Sequence, residues 1–271
     1  MSKIRLDQLV YEQGFTSSRE RAKTTIMAGD VFVNGQKETK PGTIVSSDVK
    51  IQIRSNSLPY VSRGGLKLEK AVKVFDLPVR DAVCVDCGAS TGGFTDVLLQ
   101  NGAKKVYAVD VGYGQLAWSL RNDPRVVCME RTNVRYLTHE QIPEDADICV
   151  SDVSFISLRL VLPAMYKVLK QDGQVVCLIK PQFEAGKEKV GKKGVVRDPK
   201  VHEEVLQSFL NDSRQAGFGL LGLDFSPIRG PEGNIEYLAW LQKDAQSICA
   251  PDLCALVAAS HAAHRKVEDN A

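Results

Sequence analysis

A glycine-rich turn, Asp86–Phe94, is the feature that most constrains the fold of this chain of 271 residues. It follows an apolar run with strand character, Ala82–Cys87, and it opens a stretch with helical periodicity, Phe94–Asn101. Glycines in such a turn allow the backbone to bend tightly and to approach a ligand closely. In open α/β sheets, ligands bind beyond the carboxyl ends of the strands. The turn therefore predicts an α/β domain with a ligand site at this strand end.

Apolar, strand-like runs alternate with helical stretches from about residue 61 onward. This alternation is typical of an α/β domain with a largely parallel sheet, here of seven strands. The predicted strands are Ala82–Cys87, Lys105–Val109, Val126–Met129, Ile148–Ser151, Gln174–Ile179, Leu220–Phe225 and Glu236–Leu241. The predicted helices include Phe94–Asn101, Gln115–Leu120, Leu158–Leu169 and Pro199–Gln215. The segment Gln182–Arg197 is rich in glycine and lysine and predicts a long mobile loop.

The N-terminal segment, residues 1–56, has a different pattern and predicts a separate, small α+β unit. Apolar residues at helical spacing indicate a first helix, and a capping serine with a terminal glycine indicates a second. Short strands follow around an Asn34-Gly35 turn. The residues behind this prediction are Ile4, Leu6, Leu9, Val10 and Gly14, then Ser17 or Ser18, Arg19–Ala28, Gly29, Val31–Val33 and Val49–Ile53. Residues 57–61, which include Pro59, predict a linker to a second domain, residues 62–271.

Four basic residues of the N-terminal unit are candidates for contacts with phosphates: Arg5, Arg19, Arg21 and Lys23. Cations on one surface displace the counterions that condense on a nucleic acid, and this favours binding. The net charge of the whole chain is only +2, so the distribution of charge must carry this inference. A solvated helix face is the alternative interpretation of the same four residues.

The glycine turn does not fit two common nucleotide-binding motifs. Gly88 is followed by Ala89 and Ser90, so the G-x-G of a dinucleotide site is absent, and no Gly-Lys-Ser/Thr of a P-loop occurs there. About 20 residues after the turn, a predicted strand ends at Asp110. A carboxylate at this position can accept hydrogen bonds from both hydroxyls of a nucleoside ribose.

The seven cysteines indicate reduced thiols and give no sign of a disulfide framework or a metal site. Cys84 and Cys87 form a C-x-x-C, but no second pair stands at zinc-ligand spacing, so we favour core packing. The start of the sequence is charged before the apolar region of a signal peptide can form, and no apolar run approaches the ~18 residues of a membrane span. We therefore expect a cytoplasmic protein that does not associate with membranes.

Four charged residues stand at the edges of otherwise apolar elements: Lys67, Asp152, Lys180 and Glu236. Asp152 and Lys180 each end a predicted strand, so we expect both on the same rim of the sheet as the glycine turn. A single charge at a strand end is commonly solvated. A cluster of such charges in a cleft favours a functional site.

Several segments resemble known families. The N-terminal motifs resemble the S4 domain, a module that binds structured RNA, and the turn resembles motif I of the FtsJ-like RNA 2′-O-methyltransferases. Over nearly its whole length the chain resembles the TlyA family, also called hemolysin A. The segments that carry the resemblance are Arg5–Val10, Ser18–Ala22, Ile26–Gly35, Ser62–Leu68, Asp86–Phe94, Val150–Ser157 and Lys180–Glu184.

The resemblance implies an S-adenosylmethionine-dependent enzyme that methylates ribose 2′-hydroxyls of ribosomal RNA in ribosomal subunits. It implies a Rossmann-like class I methyltransferase domain that follows an S4-like domain. It places the cofactor against Asp86, Gly88, Ser90, Gly92, Gly93 and Phe94, with Asp110 at its ribose and Asn133 at its adenine. For Asn133, formation of a turn is the alternative role. RNA contacts are implied for the four basic residues above, for Arg63, and for Lys189, Lys192 and Lys193 of the loop Lys187–Arg197.

The four charged residues match the Lys-Asp-Lys-Glu tetrad of the FtsJ-like enzymes in order and context. A ribose hydroxyl is a poor nucleophile until it loses its proton, and its attack must be in line with the methyl carbon and sulfur. A lysine accepts that proton only if its pKa falls well below ~10.4, through burial or a second cation. We expect Lys180 to act as the base or to orient the hydroxyl, with Asp152 as its partner. Lys67 and Glu236 are expected to position the ribose.

Three alternatives to ribose methylation have less support in the sequence. Enzymes of this fold that methylate amino groups usually carry Asn/Asp-Pro-Pro-Tyr/Phe after the fourth strand, whereas this chain has Ser151–Phe155 there. The second name of the family raises a haemolytic, membrane-acting protein, but neither an export signal nor a convincing amphipathic membrane helix supports it. A non-catalytic RNA-binding protein is the third hypothesis, and the intact glycine turn and tetrad count against it. The sequence leaves the oligomeric state open.

Overall fold

The computed structural model of the protein describes residues 3–16, 18–27, 29–53, 58–191, 193–248 and 250–268. For residues 266–268 it describes the backbone only. Ser17, Ala28, Ser57 and Lys192, which figure in the predictions above, lie outside the described residues. The chain divides into two compact units, residues 1–59 and residues 60–271.

The first unit combines two helices with two small antiparallel sheets. Its elements are β1 (Lys3–Arg5), α1 (Leu6–Glu12), α2 (Arg19–Met27), β2 (Val31–Val33), β3 (Gln36–Glu38), β4 (Ile44–Ser46) and β5 (Ile51–Ile53). Strand β1 pairs with β4, and β2 lies between β3 and β5. The apolar faces of both helices pack on β2 and β5, so Leu6, Val10 and Ile26 are fully buried.

Local signals position most of this unit, and one residue departs from them. The Ser18 hydroxyl accepts a hydrogen bond from the Arg21 amide at 3.1 Å, as the helix-cap pattern predicts. Ile4 was expected in the first helix, and this is wrong: it lies in β1 opposite Val45. The non-local pairing with β4 holds the chain extended as far as Arg5, and the helix therefore begins only at Leu6.

The second unit is built around a seven-stranded sheet. Its elements are α3 (Gly65–Phe75), β6 (Val83–Cys87), α4 (Gly93–Gln100), β7 (Lys105–Val109), α5 (Trp118–Arg121), β8 (Val126–Met129), β9 (Ala146–Ser151), α6 (Leu162–Val168), β10 (Leu169–Ile179), α7 (Pro181–Glu184), α8 (Pro199–Gln215), β11 (Phe218–Phe225), β12 (Tyr237–Lys243) and α9 (Leu253–Glu268). The strand order is β11-β12-β10-β9-β6-β7-β8. Strand β12 is antiparallel to both neighbours, and the other pairs are parallel. The predicted α/β fold with a mostly parallel seven-stranded sheet is confirmed.

The central strands are buried on both faces, which explains their continuous apolar runs. In β6, Val85 packs into the core on one face of the sheet and Cys84 into the core on the other. Burial raises the pKa of the Cys84 and Cys87 thiols, and both are free thiols within the core, as the sequence predicts. Within the described residues, His, Cys, Asp and Glu side chains form no group of three or more that could hold a metal ion. In the same part of the chain, no helix has the length and apolar character needed to span a membrane.

Two predicted helices differ from the structure. The helix expected at Gln115–Leu120 is only the four-residue α5, because Ala117 has a non-helical backbone with φ −54° and ψ 139°. The Gln115 amide donates to Glu130 and the Ala117 amide to the Thr91 carbonyl, and these contacts fix the segment in that conformation. The helix expected at Leu158–Leu169 is divided into a 3-10 turn, Leu158–Leu160, and α6. Pro163 lacks the amide proton that a continuous helix would use there.

The segment Gln182–Arg197 is more regular than the predicted long loop. It contains most of α7 and a 3-10 turn, Lys187–Lys189. Val195 and Val196 are buried, and the Val196 amide donates to the Asn234 side chain at 3.0 Å. These contacts fasten the end of the segment to the second unit, a tertiary effect that the composition of the segment does not reveal.

Candidate active site

The glycine turn joins β6 to α4 in a conformation that only some residues adopt. Gly88 and Gly92 have φ angles of 86° and 96°, and Ser90 also lies in the left-handed region at 48°. A side chain at Gly88 would stand 3.1 Å from the Asp152 carbonyl oxygen, and one at Gly93 would stand 2.3 Å from the Ser62 hydroxyl. The absence of side chains therefore lets the turn lie directly against the end of β9 and against the segment that precedes α3.

Asp86, the first residue of the motif, is fully buried behind the turn. Its Oδ2 accepts a hydrogen bond from the Thr95 hydroxyl at 2.7 Å. Its Oδ1 is buried and has no hydrogen-bond partner among the described residues. Burial, assisted by the charge of Asp152, raises the pKa of Asp86 to about 7.

Asp110 follows β7, and its carboxylate ties two loops together. Its Oδ2 accepts from the Ser90 amide at 2.8 Å, and its Oδ1 accepts from the Gly112 amide at 2.7 Å. Each oxygen keeps a second lone pair with which it can accept from a ligand hydroxyl. Asn133 caps the 3-10 turn Val134–Tyr136 by accepting from the Arg135 amide at 3.1 Å. The alternative role foreseen for Asn133 is thus present in the fold, and its side-chain amide protons remain available as donors.

The four charged residues predicted to form a tetrad meet at one place. The Lys67 ammonium lies 2.6 Å from a Glu236 oxygen and 3.4 Å from Asp152 Oδ2. The Lys180 ammonium lies 2.6 Å from Asp152 Oδ1. Asp152 is thus shared between the two lysines, and the four side chains form a continuous chain of ion pairs. Asp152 directly follows β9 and Lys180 directly follows β10. Lys67 lies in α3, and Glu236 directly precedes β12.

The two lysines have different surroundings. Burial opposes the charge on Lys67, but Asp152 and Glu236 together outweigh it and raise the pKa of this lysine. Lys67 therefore stays an ammonium group. Lys180 faces one carboxylate and, at 2.9 Å, the Ser154 hydroxyl.

A cavity of about 360 Å³ joins the tetrad to the glycine turn. Its wall contains Lys67, Asp152 and Lys180 together with residues 88–91 and 93–94. Phe94 also packs into the core beneath, at 3% exposure. Four predicted cofactor residues, Gly88, Ser90, Gly93 and Phe94, therefore share a wall with three predicted catalytic residues. The other members of the two predicted sets do not line this cavity: Asp86, Gly92, Asp110, Asn133 and Glu236. Arg63, predicted from the sequence as an RNA contact, lies on the same wall.

Sequence reasoning assigned no role to four polar residues that line this cavity: Ser62, Thr91, Ser154 and Arg229. Ser154 stands two residues after Asp152, and a hydroxyl at this position is the sequence feature that could have indicated a contact with the tetrad. Arg229 lies in the connection between β11 and β12, and its Nη2 donates to the His264 carbonyl of α9 at 3.2 Å. Only tertiary structure brings it to the cavity.

A buried polar cluster lies beneath Glu236. Tyr237, the next residue, contacts His202 Nδ1 at 2.7 Å and the Ser260 hydroxyl at 3.1 Å. The His261 ring lies 5.0 Å from the His202 ring, and His264 contacts the Ser226 carbonyl. Burial lowers the pKa of all three histidines. The cluster ties helices α8 and α9 to the strand that begins beside the tetrad.

The remaining predicted RNA contacts fall into two groups. In the first unit, Arg5 and Arg19 both pair with Asp7, whereas Lys23 pairs with Glu20 and Arg21 is exposed. In the second unit, Lys189 pairs with Glu204 at 2.5 Å and Lys193 is exposed.

Comparison with known proteins identifies the family. The model of the FtsJ-like methyltransferase family matches residues 60–243, and the model of the S4 domain matches residues 4–51. The chain belongs to the FtsJ-like methyltransferase family. A more distant structure, a methyltransferase from Listeria monocytogenes at 16% identity and a TM-score of 0.51, shares the fold of the FtsJ-like domain.

Similar proteins place the whole chain, with both domains, in the TlyA family. TlyA of Mycobacterium tuberculosis, named as a 16S/23S rRNA (cytidine-2′-O)-methyltransferase, is 46% identical over 241 residues, which cover 89% of this chain and 90% of TlyA. YqxC of Bacillus subtilis is 55% identical over 243 residues, or 88% of this chain and 85% of YqxC. The solved structure of a Streptococcus thermophilus protein named as a hemolysin aligns with a TM-score of 0.78, at 49% identity over 99% of both chains.

Proposed function

We propose that this protein transfers a methyl group from S-adenosylmethionine to a ribose 2′-hydroxyl of ribosomal RNA. The observation that carries the proposal is the tetrad of Lys67, Asp152, Lys180 and Glu236, of which the first three share one cavity with the glycine turn. The name of the M. tuberculosis relative supplies the substrate, since that protein acts on cytidine 2′-hydroxyls of 16S and 23S rRNA.

The residues at the glycine turn fit the cofactor. The bare backbone at Gly88 packs closely against the end of β9 and lines the cavity, and the Asp110 carboxylate offers acceptors for ribose hydroxyls. Residues 88–93 and Asp110 would hold it. When bound, S-adenosylmethionine supplies a methyl group activated by a positively charged sulfur.

The protein's own side chains would prepare the acceptor hydroxyl. Lys67 stays charged between two carboxylates, so it can donate a hydrogen bond to the ribose but cannot take a proton from it. We assign to Lys180 the role of base or orienter of the acceptor hydroxyl. Asp152 and Ser154 hold this lysine at the cavity wall. Asp152 keeps the two lysines apart and neutralises them in part, and Glu236 fixes Lys67 from behind.

The protein presents an aromatic surface beside the tetrad, on which we place the acceptor nucleotide. Phe155 follows Asp152 by three residues, is 91% exposed, and lies 5.0 Å from the Phe183 ring, centroid to centroid. Both rings line a second cavity, with Arg135 and Lys187 on its wall. Unstacked bases commonly dock on such aromatic faces. We assign the capture of RNA to the S4 domain.

The test is transfer of radiolabelled methyl from S-adenosylmethionine to ribosomal subunits from a strain that lacks the gene. Lys180→Ala tests the tetrad, and Lys73→Ala is the matched control, because Lys73 lies on the exposed side of α3 and pairs with Glu69 at 2.8 Å. We expect wild type and Lys73→Ala to label rRNA at a linkage that resists alkali, and Lys180→Ala to fall by at least about 10²-fold. Label elsewhere than a ribose would contradict the assigned acceptor. Cofactor binding without label in any rRNA would favour a non-catalytic RNA-binding protein.

A further inference from the structure

A fully buried carboxylate lies at the centre of the first unit's basic surface. Asp7, in α1, is 0% exposed, although charged side chains are seldom buried unless they are paired. Its Oδ1 lies 3.1 Å from Arg5 Nε and its Oδ2 lies 2.9 Å from Arg5 Nη2. Arg19, twelve residues along the chain, donates from Nη2 to Oδ1 at 3.2 Å.

The two arginines reach Asp7 from different elements. Arg5 ends β1, and Arg19 is the first residue of α2, so one carboxylate links a strand and two helices. The backbone of Asp7 is held as well, because its amide donates to the Pro41 carbonyl at 3.0 Å.

This arrangement leaves the arginines half exposed. Their side chains are 45% and 44% accessible, while the carboxylate between them is closed to solvent. The cluster carries two positive charges and one negative charge, a sum of +1. Hydrogen bonds from both arginines, the Arg5 bonds foremost, lower the pKa of Asp7 to about 2, so it stays ionised at neutral pH.

We propose that Asp7 is a positioning residue that holds Arg5 and Arg19 as one preformed site for an RNA phosphate. The inference rests on the proposed function, because it takes the RNA that the S4 domain captures as the ligand. Two neighbouring guanidinium groups repel each other, and each has several rotamers. A carboxylate fixed in the core removes both costs before RNA binds. The donors that do not face Asp7 can then form the paired hydrogen bonds that guanidinium groups make with phosphate oxygens.

The proposal and simple electrostatics predict opposite signs for Asp7→Asn. Removing a negative charge from a basic surface strengthens binding to RNA if charge alone matters. Loss of the positioning carboxylate weakens binding if preorganisation matters. Glu12→Gln is the matched control, since Glu12 lies exposed at the end of α1, contacts Gln8 at 2.8 Å, and loses the same single charge.

The experiment is filter binding of radiolabelled rRNA transcript to the full-length protein at several salt concentrations. We expect Glu12→Gln to bind as tightly as wild type or up to about twofold tighter. We expect Asp7→Asn to bind about tenfold more weakly, with a circular-dichroism spectrum like that of wild type. Tighter or unchanged binding by Asp7→Asn would overturn the proposal while leaving methyl transfer, measured separately with Lys180→Ala, untouched.

A second variant covers the case in which Asp7→Asn does not fold. Arg5→Lys keeps the charge but loses the fork that binds two oxygens, and Arg80→Lys is its control at an exposed position of the second unit. The proposal expects Arg5→Lys to lose about fivefold in affinity, with an unchanged salt slope, and Arg80→Lys to lose less than twofold. Equal effects of the two substitutions would overturn it. Absence of rRNA binding by wild type would overturn both this inference and the RNA-binding part of the proposed function.

Discussion

Glu236→Gln tests how the tetrad is held together. Glu236 is 1% exposed and Lys67 is 8% exposed, and their oxygen and nitrogen atoms lie 2.6 Å apart. The substitution keeps the shape of the side chain and one acceptor oxygen, but it removes a charge that Lys67 faces. Breaking a buried ion pair costs 3–5 kcal/mol when an uncompensated charge remains. Here Asp152 still lies 3.4 Å from Lys67.

The expected loss is therefore smaller than that of a fully broken pair. A hydrogen bond to a charged group contributes about 1.5–3 kcal/mol, and Gln retains part of it, so we expect the free energy of unfolding to fall by about 2 kcal/mol. The matched control is Glu204→Gln, whose partner Lys189 is 42% exposed. Exposed ion pairs contribute about 0–1 kcal/mol, and the control should stay within that range.

Urea unfolding followed by tryptophan fluorescence measures both variants. The chain has two tryptophans, Trp118 and Trp240, and both lie in the second unit, so this signal reports the unit that contains the tetrad. A double variant, Lys67→Met with Glu236→Gln, should be more stable than Glu236→Gln alone because it also removes the buried cation. Equal losses for Glu236→Gln and Glu204→Gln would show that the pair with Lys67 contributes nothing beyond an exposed pair.

Three further predictions concern the cofactor site and pH. Asp110→Asn should weaken S-adenosylmethionine binding by about tenfold in calorimetry, since one acceptor oxygen for the ribose becomes a donor; unchanged affinity would contradict the assigned role. Asp86→Asn should stabilise the ligand-free protein more at pH 8 than at pH 5: the raised folded-state pKa, about 7, imposes a cost that begins above the unfolded pKa and grows from about 2 kcal/mol at pH 5 to about 4 kcal/mol at pH 8. Urea midpoints at both pH values measure this, and equal effects would refute it. The lowered pKa values of His202, His261 and His264 mean that the unfolded chain binds protons first, so in the Asp86→Asn variant, which lacks the opposite pH dependence of Asp86, stability should fall as the pH drops below about 6.5, and a flat profile of this variant from pH 7 to 5 would contradict this.

The sequence predicts the parts of the fold that depend on local chemistry. Strand β7 and helix α8 have the predicted bounds. Helix α8 begins after Asp198, whose side chain accepts from the Lys200 amide, and Pro199 suits the first turn of a helix. The strands next to the glycine turn are buried on both faces, so their apolar runs are long enough to identify from composition alone.

The departures share a non-local cause. Ile4 is extended because β4, forty residues away, pairs with it, and α5 is short because Thr91 and Glu130 bind the amides that would begin a longer helix. Neither partner is visible from the residues around the affected segment. Local periodicity therefore identifies an element well when its hydrogen bonds are internal, and poorly when a distant segment competes for them.

The candidate site divides in the same way, and the division bears on how it works. Lys67, Asp152 and Lys180 are recognisable from the sequence because each stands at the edge of an apolar element, where a cluster of charged residues indicates a functional site. Arg229 is hidden because the connection it occupies is placed by α9 and by the polar cluster around Tyr237, not by its own sequence. The groups that perform chemistry thus lie at the ends of rigid strands and helices. Arg229 on the cavity wall depends instead on a contact from helix α9, so changes in that helix should alter this part of the cavity directly.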